Sequence, residues 1–201
     1  MKKVLFAVSM ISCVVAAPAM SAGDAAAGQA KSGTCAGCHG ADGNSVAANF
    51  SKLAGQHENY LLKQLQDFKS GKRKDPTMTA MVAPLSEQDM ANLAAYFSSQ
   101  KVKPGKTAED KLELGQTIYR AGNATSGVAA CAACHSPTGA GNPQAKFPAL
   151  KGQHAGYVVK QLKAFRSGAR SNDAGSMMRG VASKLTDAEI EAVAQYVQGL
   201  Q

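Results

Sequence analysis

The sequence predicts an all-α protein made of two similar domains in tandem, and two observations carry this prediction. A set of residues recurs with the same spacing about halfway along the 201-residue chain, which is the pattern of a duplicated structural unit. Within each copy the apolar residues fall at helical spacing, and no alternation of apolar and polar residues indicates a strand.

The repeat extends through both halves of the chain. Equivalent residues lie 96 positions apart at Cys35 and Cys131 and 100 apart at Leu85 and Leu185, so the second copy is the longer one. The positions that match at a separation of 97 are residues 53 and 55–57 with 150 and 152–154, and Tyr60, Lys63, Gln64, Leu65, Phe68, Ser70 and Gly71 with Tyr157, Lys160, Gln161, Leu162, Phe165, Ser167 and Gly168. Each half therefore carries one copy of the same small fold.

The first residues have the pattern of a secretory leader. Two lysines precede an apolar run over residues 4–17, and small residues follow. This order predicts a signal peptide over residues 1–21 that is removed after Ser21, and its apolar run is too short to span a bilayer. Lipidation at Cys13 is the weaker alternative, because the three residues before it match a lipidation site poorly.

The N-terminal domain is predicted to cover residues 22–99. Asp24 is placed to cap a first helix that runs towards Cys35. A middle helix is predicted from residues at i, i+4 spacing, namely Tyr60, Leu61, Gln64, Leu65 and Phe68.

The last helix of each copy begins with the same signal. Ser86 and Asp89 form a capping-box pattern in the first copy, and Thr186 and Glu189 form one in the second. Because the two boxes match in the repeat, we expect both helices to begin at equivalent positions.

A polar Pro-Gly segment over residues 100–106 is predicted to link the domains, and the C-terminal domain then covers residues 107–201. Thr107 and Asp110 form a capping-box pattern at its start. Residues 121–130 are rich in Gly, Ala, Ser and Thr and have no counterpart in the first copy, which predicts a surface loop.

Two Cys-x-x-Cys-His motifs carry the chemistry of the chain. They are Cys35-Ala36-Gly37-Cys38-His39 and Cys131-Ala132-Ala133-Cys134-His135. In this pentapeptide the two thiols form thioether bonds to a haem and the histidine binds its iron. The alternatives are a thiol–disulfide pair, which does not require the histidine, and half of a zinc site, for which a histidine directly after a cysteine is the wrong spacing. We therefore predict two covalently bound haem c groups.

The sixth iron ligand is predicted from the repeat. Met78 and Met178 each lie seven residues before the matched leucine of the last segment, in what we expect to be loops. For the nearby Met81 and Met177, the equivalent position in the other copy does not hold a methionine. Since identical sites should use equivalent ligands, and since methionine suits an electron-transfer haem, we predict Met78 and Met178; the alternative is that all four fill gaps in the core.

Two further features leave alternatives open. His57 and His154 also match in the repeat and offer a second distal ligand set, although a structural or surface role is the better interpretation of a histidine at a helix entry. The basic residues 72–74 are typical of a solvated loop and are also a candidate docking patch for an acidic partner.

Composition excludes other classes of function. Loss of Lys2 and Lys3 with the leader lowers the formal net charge from +8 to +6, and four haem propionates would bring it close to neutral. The basic balance therefore does not indicate nucleic-acid binding, and no nucleic-acid motif is present. No long apolar run follows the leader, so we expect no integral membrane protein, while loose association with a membrane stays open.

These motifs together resemble the cytochrome c4 family. The resemblance is carried by both haem motifs, the Leu-x-Gly-Gln segments, the Tyr-x-x-Lys-Gln-Leu helices and the methionine segments before the last helices, and it covers the mature chain. It implies two tandem class I cytochrome c domains, each around one covalent haem, in the periplasm. It implies the following ligands: thioethers at Cys35, Cys38, Cys131 and Cys134, proximal ligands His39 and His135, and distal ligands Met78 and Met178.

One position departs from the family pattern. The second copy has Pro148 after a phenylalanine, where such cytochromes often use a proline near the proximal histidine, and the first copy has Ser51. A backbone carbonyl there can still accept a hydrogen bond from the histidine, but the loop would be less rigid, so we expect the two haems to differ in potential.

The resemblance implies an electron carrier rather than an enzyme. Its redox partners would be a quinol–cytochrome c reductase and a terminal oxidase of a respiratory chain. The repeat and the short linker over residues 100–106 further predict that the haems face each other across the domain interface. The alternatives are a dihaem enzyme, such as a peroxidase or a subunit of a sulfur-compound dehydrogenase, and a fixed electron-entry subunit of a larger complex.

Overall fold

The structure is a computed structural model, and it describes residues 22–201. The predicted signal peptide and Cys13 lie outside the described residues. Over the described range the chain is helical, with two isolated β-bridges and no strand, which confirms the all-α prediction.

Within residues 22–201, ten α-helices form two similar sets. The N-terminal set consists of α1 (Ala25–Lys31), α2 (Gly33–His39), α3 (Glu58–Lys69), α4 (Pro76–Val82) and α5 (Glu87–Ser99). The C-terminal set consists of α6 (Glu109–Ala121), α7 (Ala132–His135), α8 (Ala155–Ser167), α9 (Met177–Ala182) and α10 (Asp187–Gly199), with a 3₁₀ turn (Ala174–Ser176) before α9. Helices with the same rank in the two sets are equivalent in the repeat.

The helix starts follow the predicted caps in three places. The Asp24 carboxylate accepts hydrogen bonds from the first backbone N–H groups of α1. Both capping boxes are formed, between Ser86 and Asp89 at α5 and between Thr186 and Glu189 at α10. Because each box satisfies two backbone N–H groups that the helix leaves unpaired, the sequence determines these starts locally.

The predicted capping box at Thr107 is wrong. Helix α6 has Ala108 at its N-cap position, and no side chain caps it. Thr107 instead lies against the C-terminal end of α10, where its hydroxyl is so close to the backbone of Gly199 that an added Cβ there would lie only 2.1 Å away. Packing against the last helix has replaced local capping.

The first and last helices of each set cross at very short range. Helix α1 packs on α5, and α6 packs on α10. At the two crossings a Cβ atom added to Gly28 would lie 2.0 Å from the Asn92 carbonyl oxygen, and one added to Gly115 would lie 2.3 Å from that of Ala192. Only glycine allows the backbones to approach this closely, so the same residue type stands at both crossings.

Each half has a hydrophobic core of its own. The N-terminal core is formed by Leu61, Phe68, Val82, Leu85, Met90, Leu93, Ala94, Tyr96 and Phe97. The C-terminal core is formed by Ile118, Tyr119, Val128, Leu185, Ile190, Val193, Tyr196 and Val197. Met90 is fully buried in the first core, and Val128 anchors the extra loop of the second copy.

The linker is fixed to both halves. The Lys103 backbone N–H donates to Asn44 Oδ1 at 2.8 Å, and Asn44 Nδ2 donates to the Lys101 carbonyl at 2.9 Å. On the other side, the Gly105 N–H donates to the Gln198 carbonyl at 2.9 Å. Hydrogen bonds to both domains therefore fix the path of the linker.

In residues 22–201 we find no helix with the length and apolar character needed to cross a membrane.

Candidate haem sites

The cysteines lie in the short helices α2 and α7 or, for Cys131, directly before the helix. Cys35 and Cys131 are half-buried and pack against the hydrophobic core of their own domain. Burial raises the pKa of the Cys35 thiol and raises that of Cys131 to about 11. Cys38 is half-buried and Cys134 is exposed. Each motif thus presents one thiol on the core and a second one turn further along a helix.

Both motif histidines are buried and held in the same way. His39 Nδ1 lies 2.8 Å from the Ser51 carbonyl oxygen, and His135 Nδ1 lies 2.9 Å from that of Pro148. Because a carbonyl can only accept, Nδ1 carries the proton and donates, which leaves the Nε2 lone pair for a metal. The expectation that Ser51 supplies the same carbonyl as Pro148 is confirmed.

The protonation state of these imidazoles favours metal binding. Burial lowers the pKa of His39 and of His135, and the carbonyl hydrogen bond offsets this only in part. Both rings are therefore neutral at neutral pH. A neutral imidazole with its proton fixed on Nδ1 is the form that binds iron through Nε2.

The methionines lie in helices, not in the loops that we expected. Met78 is in α4, where its backbone N–H donates to the Asp75 carboxylate at 3.1 Å, and Met178 is in α9. Both side chains are half-buried, and Met78 packs against the N-terminal core. Met81 and Met177 are 43% and 45% exposed.

His57 and His154 connect the two domains. His57 Nε2 donates to the Ala140 carbonyl and His154 Nε2 donates to the Ser45 carbonyl, each at 2.7 Å and each across the interface. These contacts occupy the nitrogen that a distal ligand would use, so the structure supports the structural interpretation of the pair.

Two buried arginines at the interface were missed by the sequence analysis. Arg73 and Arg170 both donate to Gln64 Oε1, at 2.9 and 3.1 Å, and both donate to Gln161 Oε1, at 3.0 and 2.8 Å. The repeat could have identified them, because the two arginines lie 97 residues apart, as the two glutamines do. Arg73 lies within the basic run 72–74, which the sequence analysis interprets as a solvated loop or a docking patch. In that run only Lys72 and Lys74 are exposed, so Arg73 is not part of a docking patch.

The residues around each motif fit a haem and do not fit zinc. Each domain offers two thiols, one neutral imidazole nitrogen and one half-buried thioether, which is the donor set of a covalently attached, six-coordinate haem. Half-buried apolar side chains pack on the core of each domain: Leu53, Leu62 and Leu65 in one and Leu150, Val158, Val159 and Leu162 in the other. Among the described residues no three His, Cys, Asp or Glu side chains gather in the way a metal ion alone requires.

Comparison with known proteins defines the class. The cytochrome c family model matches residues 25–101 and, a second time, residues 112–201. The molecule is thus a protein of two cytochrome c domains, and it binds two haem c groups covalently.

Similar proteins narrow the class further. The chain is 53% identical to cytochrome c4 of Azotobacter vinelandii over 192 residues, which cover 90% of this chain and 91% of that protein. Its fold matches the crystal structure of reduced recombinant cytochrome c4 from Pseudomonas stutzeri with a TM-score of 0.87 and 52% identity, over 90% of this chain and all of the other. It is also 38% identical to the thiosulfate dehydrogenase electron acceptor of Thiomonas intermedia (strain K12), over 98% of this chain and 90% of that protein. The chain belongs to the cytochrome c4 family, the dihaem electron carriers, and is not an enzyme.

Proposed function

We propose that each motif of the chain builds one six-coordinate haem site from equivalent residues. The ligands in this proposal are Cys35, Cys38, His39 and Met78 in the first domain and Cys131, Cys134, His135 and Met178 in the second. The observation that carries it is the matched hydrogen bond from His39 Nδ1 and His135 Nδ1 to equivalent carbonyls, since this bond fixes the tautomer that a proximal ligand needs.

Such sites suit electron transfer and not substrate binding. When bound, each haem supplies one reversible one-electron couple. The protein keeps the ligand atoms in place by the short helices, the carbonyl hydrogen bonds and the hydrophobic cores, so little rearranges when the charge changes. Met78 and Met178 would bind the iron through their thioethers, which would raise the potential. Together with the histidines they would leave no ligand position for carbon monoxide or peroxide.

We further propose that the protein works in the periplasm as a carrier between a quinol–cytochrome c reductase and a terminal oxidase. The leader pattern of residues 1–21 supports export. Exposed Lys72 and Lys74, together with the exposed linker lysines 101 and 106, offer positive charge for an acidic partner. These contacts would be weak and salt-sensitive, which suits a carrier that must leave its partner.

A second donor has specific support. The likeness to a thiosulfate dehydrogenase electron acceptor covers nearly the whole chain, so a sulfur-compound dehydrogenase is the alternative source of electrons. In that case the protein would be the acceptor for that enzyme, and the ligand set would be the same.

Stopped-flow reduction of the oxidised holoprotein distinguishes the two donors. One arm uses quinol–cytochrome c reductase with quinol, the other uses thiosulfate dehydrogenase with thiosulfate, and reoxidation by a terminal oxidase follows in both. We expect fast reduction in the first arm, with a rate that falls as ionic strength rises. Fast reduction only in the second arm would assign the sulfur pathway, and reduction in neither, or stoichiometric carbon monoxide binding to fresh reduced protein, would contradict the carrier proposal.

A further inference from the structure

One peptide group joins His39 to the opposite domain. The carbonyl of the Ser51–Lys52 peptide accepts the His39 Nδ1 hydrogen bond at 2.8 Å. The N–H of the same peptide donates to Gln153 Oε1 at 2.8 Å, and Gln153 Nε2 donates back to the Lys52 carbonyl at 2.9 Å. Gln153 lies 101 residues further along the chain, in the C-terminal domain.

The reciprocal contact holds His135. The carbonyl of the Pro148–Ala149 peptide accepts from His135 Nδ1 at 2.9 Å, while its N–H donates to Gln56 Oε1 at 2.9 Å. Gln56 Nε2 also donates to the Ala149 carbonyl at 2.9 Å. Gln56 and Gln153 are equivalent in the repeat, so each domain's glutamine contacts the peptide that holds the other domain's histidine.

This arrangement has a consequence for the bond between histidine and carbonyl. When a peptide N–H donates to a strong acceptor, its carbonyl oxygen becomes more negative and accepts more strongly, because hydrogen bonds in a chain polarise one another. A stronger acceptor on Nδ1–H makes the imidazole a more basic ligand. A more basic ligand favours ferric iron, and therefore lowers the reduction potential of the haem.

We propose that Gln153 and Gln56 are positioning residues that lower the reduction potential of the haem in the domain opposite their own. This inference rests on the proximal ligands proposed above. It makes docking of the two domains part of the redox tuning: each site reaches its potential only when the other domain's glutamine is in contact. In each case a single peptide group connects the glutamine of one domain to the histidine of the other, and through it the glutamine changes the reduction potential of that haem.

Substitution by methionine tests the proposal in the complete holoprotein. Gln153→Met keeps the length of an unbranched side chain and removes both hydrogen bonds to the opposite domain, together with the one that Oε1 accepts from the next backbone N–H. Gln56→Met does the same on the other side. Asn59→Ala is the matched control, since Asn59 Nδ2 also donates across the interface, to the Pro143 carbonyl, but does not contact a peptide that holds a histidine. Each step of a potentiometric titration is assigned to its domain from the Met78→His and Met178→His variants.

The expected result is a crossed shift. Gln153→Met raises the potential of the N-terminal haem, Gln56→Met raises that of the C-terminal haem, and the other haem of each variant and both haems of Asn59→Ala change little. Gln153→Glu provides a second variant: a carboxylate accepts more strongly from the Lys52 N–H, so the N-terminal potential falls below that of the unsubstituted protein.

Three outcomes would overturn the inference. They are a shift confined to the domain that carries the substitution, a fall of both potentials, as expected if the interface simply opens and water stabilises the ferric state, and no shift in either glutamine variant. Failure of the ligand proposal has a different signature, because the Met78→His and Met178→His reference variants would then leave both titration steps in place.

Discussion

At the scale of single residues, the two sites differ in how their proximal carbonyls are held. Pro148 and Ser51 offer the same backbone oxygen at nearly the same distance from the histidine. Proline fixes φ and restricts the unfolded chain, whereas serine does neither. Each domain thus has the same hydrogen bond, but the loop that supplies the carbonyl is more rigid in the second domain than in the first.

Replacing Pro148 by Ser makes the second loop like the first. We expect the C-terminal domain to lose about 0.4–1 kcal/mol of unfolding free energy, because the unfolded chain gains conformational freedom. The His135 hydrogen bond should persist, since the carbonyl remains. Denaturant titration of the holoprotein measures the first effect, and a His135 Nδ1–H proton resonance that stays protected from exchange with water measures the second. Loss of that protection would show that the proline ring itself keeps the carbonyl on the histidine.

The methionine assignment makes a direct prediction. Met78→Ala or Met178→Ala should remove half of the near-infrared sulfur-to-iron band of the oxidised protein and lower the potential of one haem, because a thioether favours ferrous iron. The matched controls are Met81→Ala and Met177→Ala, whose parent side chains are 43% and 45% exposed. If a control removes the band and its neighbour does not, the repeat alignment has selected the wrong methionine.

At the scale of helices, the two glycine-mediated crossings define each domain. Helix α1 has only seven residues, which is too short to be stable alone, so it depends on its contact with α5. The same reasoning applies to α6 on α10, where the longer α6 supplies Gly115. The crossing brings the helix that precedes the haem motif onto the helix that ends the domain.

Gly28→Ala should therefore destabilise the N-terminal domain. The added Cβ would lie 2.0 Å from the Asn92 carbonyl oxygen, and overpacking of this kind costs about 1–3 kcal/mol. Gly33→Ala is the control: it is also helical, nothing lies within 4 Å of the added Cβ, and it should be neutral or slightly stabilising. Thermal unfolding followed by circular dichroism measures both. Equal stability of the two variants would contradict the close crossing.

Several helix starts can be predicted from the sequence because their capping residues are close together in the chain. The boxes at Ser86 and Thr186 begin their helices as predicted, since each is complete within four residues. The prediction at Thr107 failed because a residue from the other end of the domain packs against it. The helices that carry the methionines are hard to predict, because six or seven residues are too few for a periodic pattern. The local signals for α4 are Asp75 at its N-cap and Pro76 in its first turn.

At the scale of the whole molecule, the interface is where sequence reasoning was weakest. The sequence does not distinguish a buried arginine such as Arg73 from a solvated one, because its hydrogen-bond acceptors come from both halves of the chain. The repeat nevertheless marks these residues, because contacts across a pseudo-twofold interface occur in matched pairs. Residues that recur at one separation and lie outside the cores are therefore candidates for the interface; His57 and Gln56 fit this rule.

Gln64 is the residue on which the interface most depends. Its Oε1 accepts from Arg73, Arg170 and Asn172. Gln64→Met would leave Arg73 Nη1 without its acceptor, whereas the Arg170 guanidinium keeps Gln161 Oε1. We expect a loss of about 1–3 kcal/mol for the buried donor left unsatisfied.

Limited proteolysis at the linker and the free energy of unfolding both measure this loss. The matched control is Gln66→Met on the same helix, because Gln66 Nε2 donates within its own domain, to Glu87 at 2.8 Å. Faster linker cleavage in the Gln64 variant and an unchanged rate in the Gln66 variant are the expected pair of results. Equal rates would mean that the arginines do not hold the domains together.

Spectroelectrochemical titration of the mature holoprotein, followed in the visible and near-infrared, tests the central claim most directly. That claim is a carrier with two His–Met haem sites in one chain. The predicted result is two one-electron steps per chain, with the sulfur-to-iron band of the oxidised protein lost in both steps and in comparable amounts. One electron per chain, or a band that disappears entirely in one of the two steps, would contradict it.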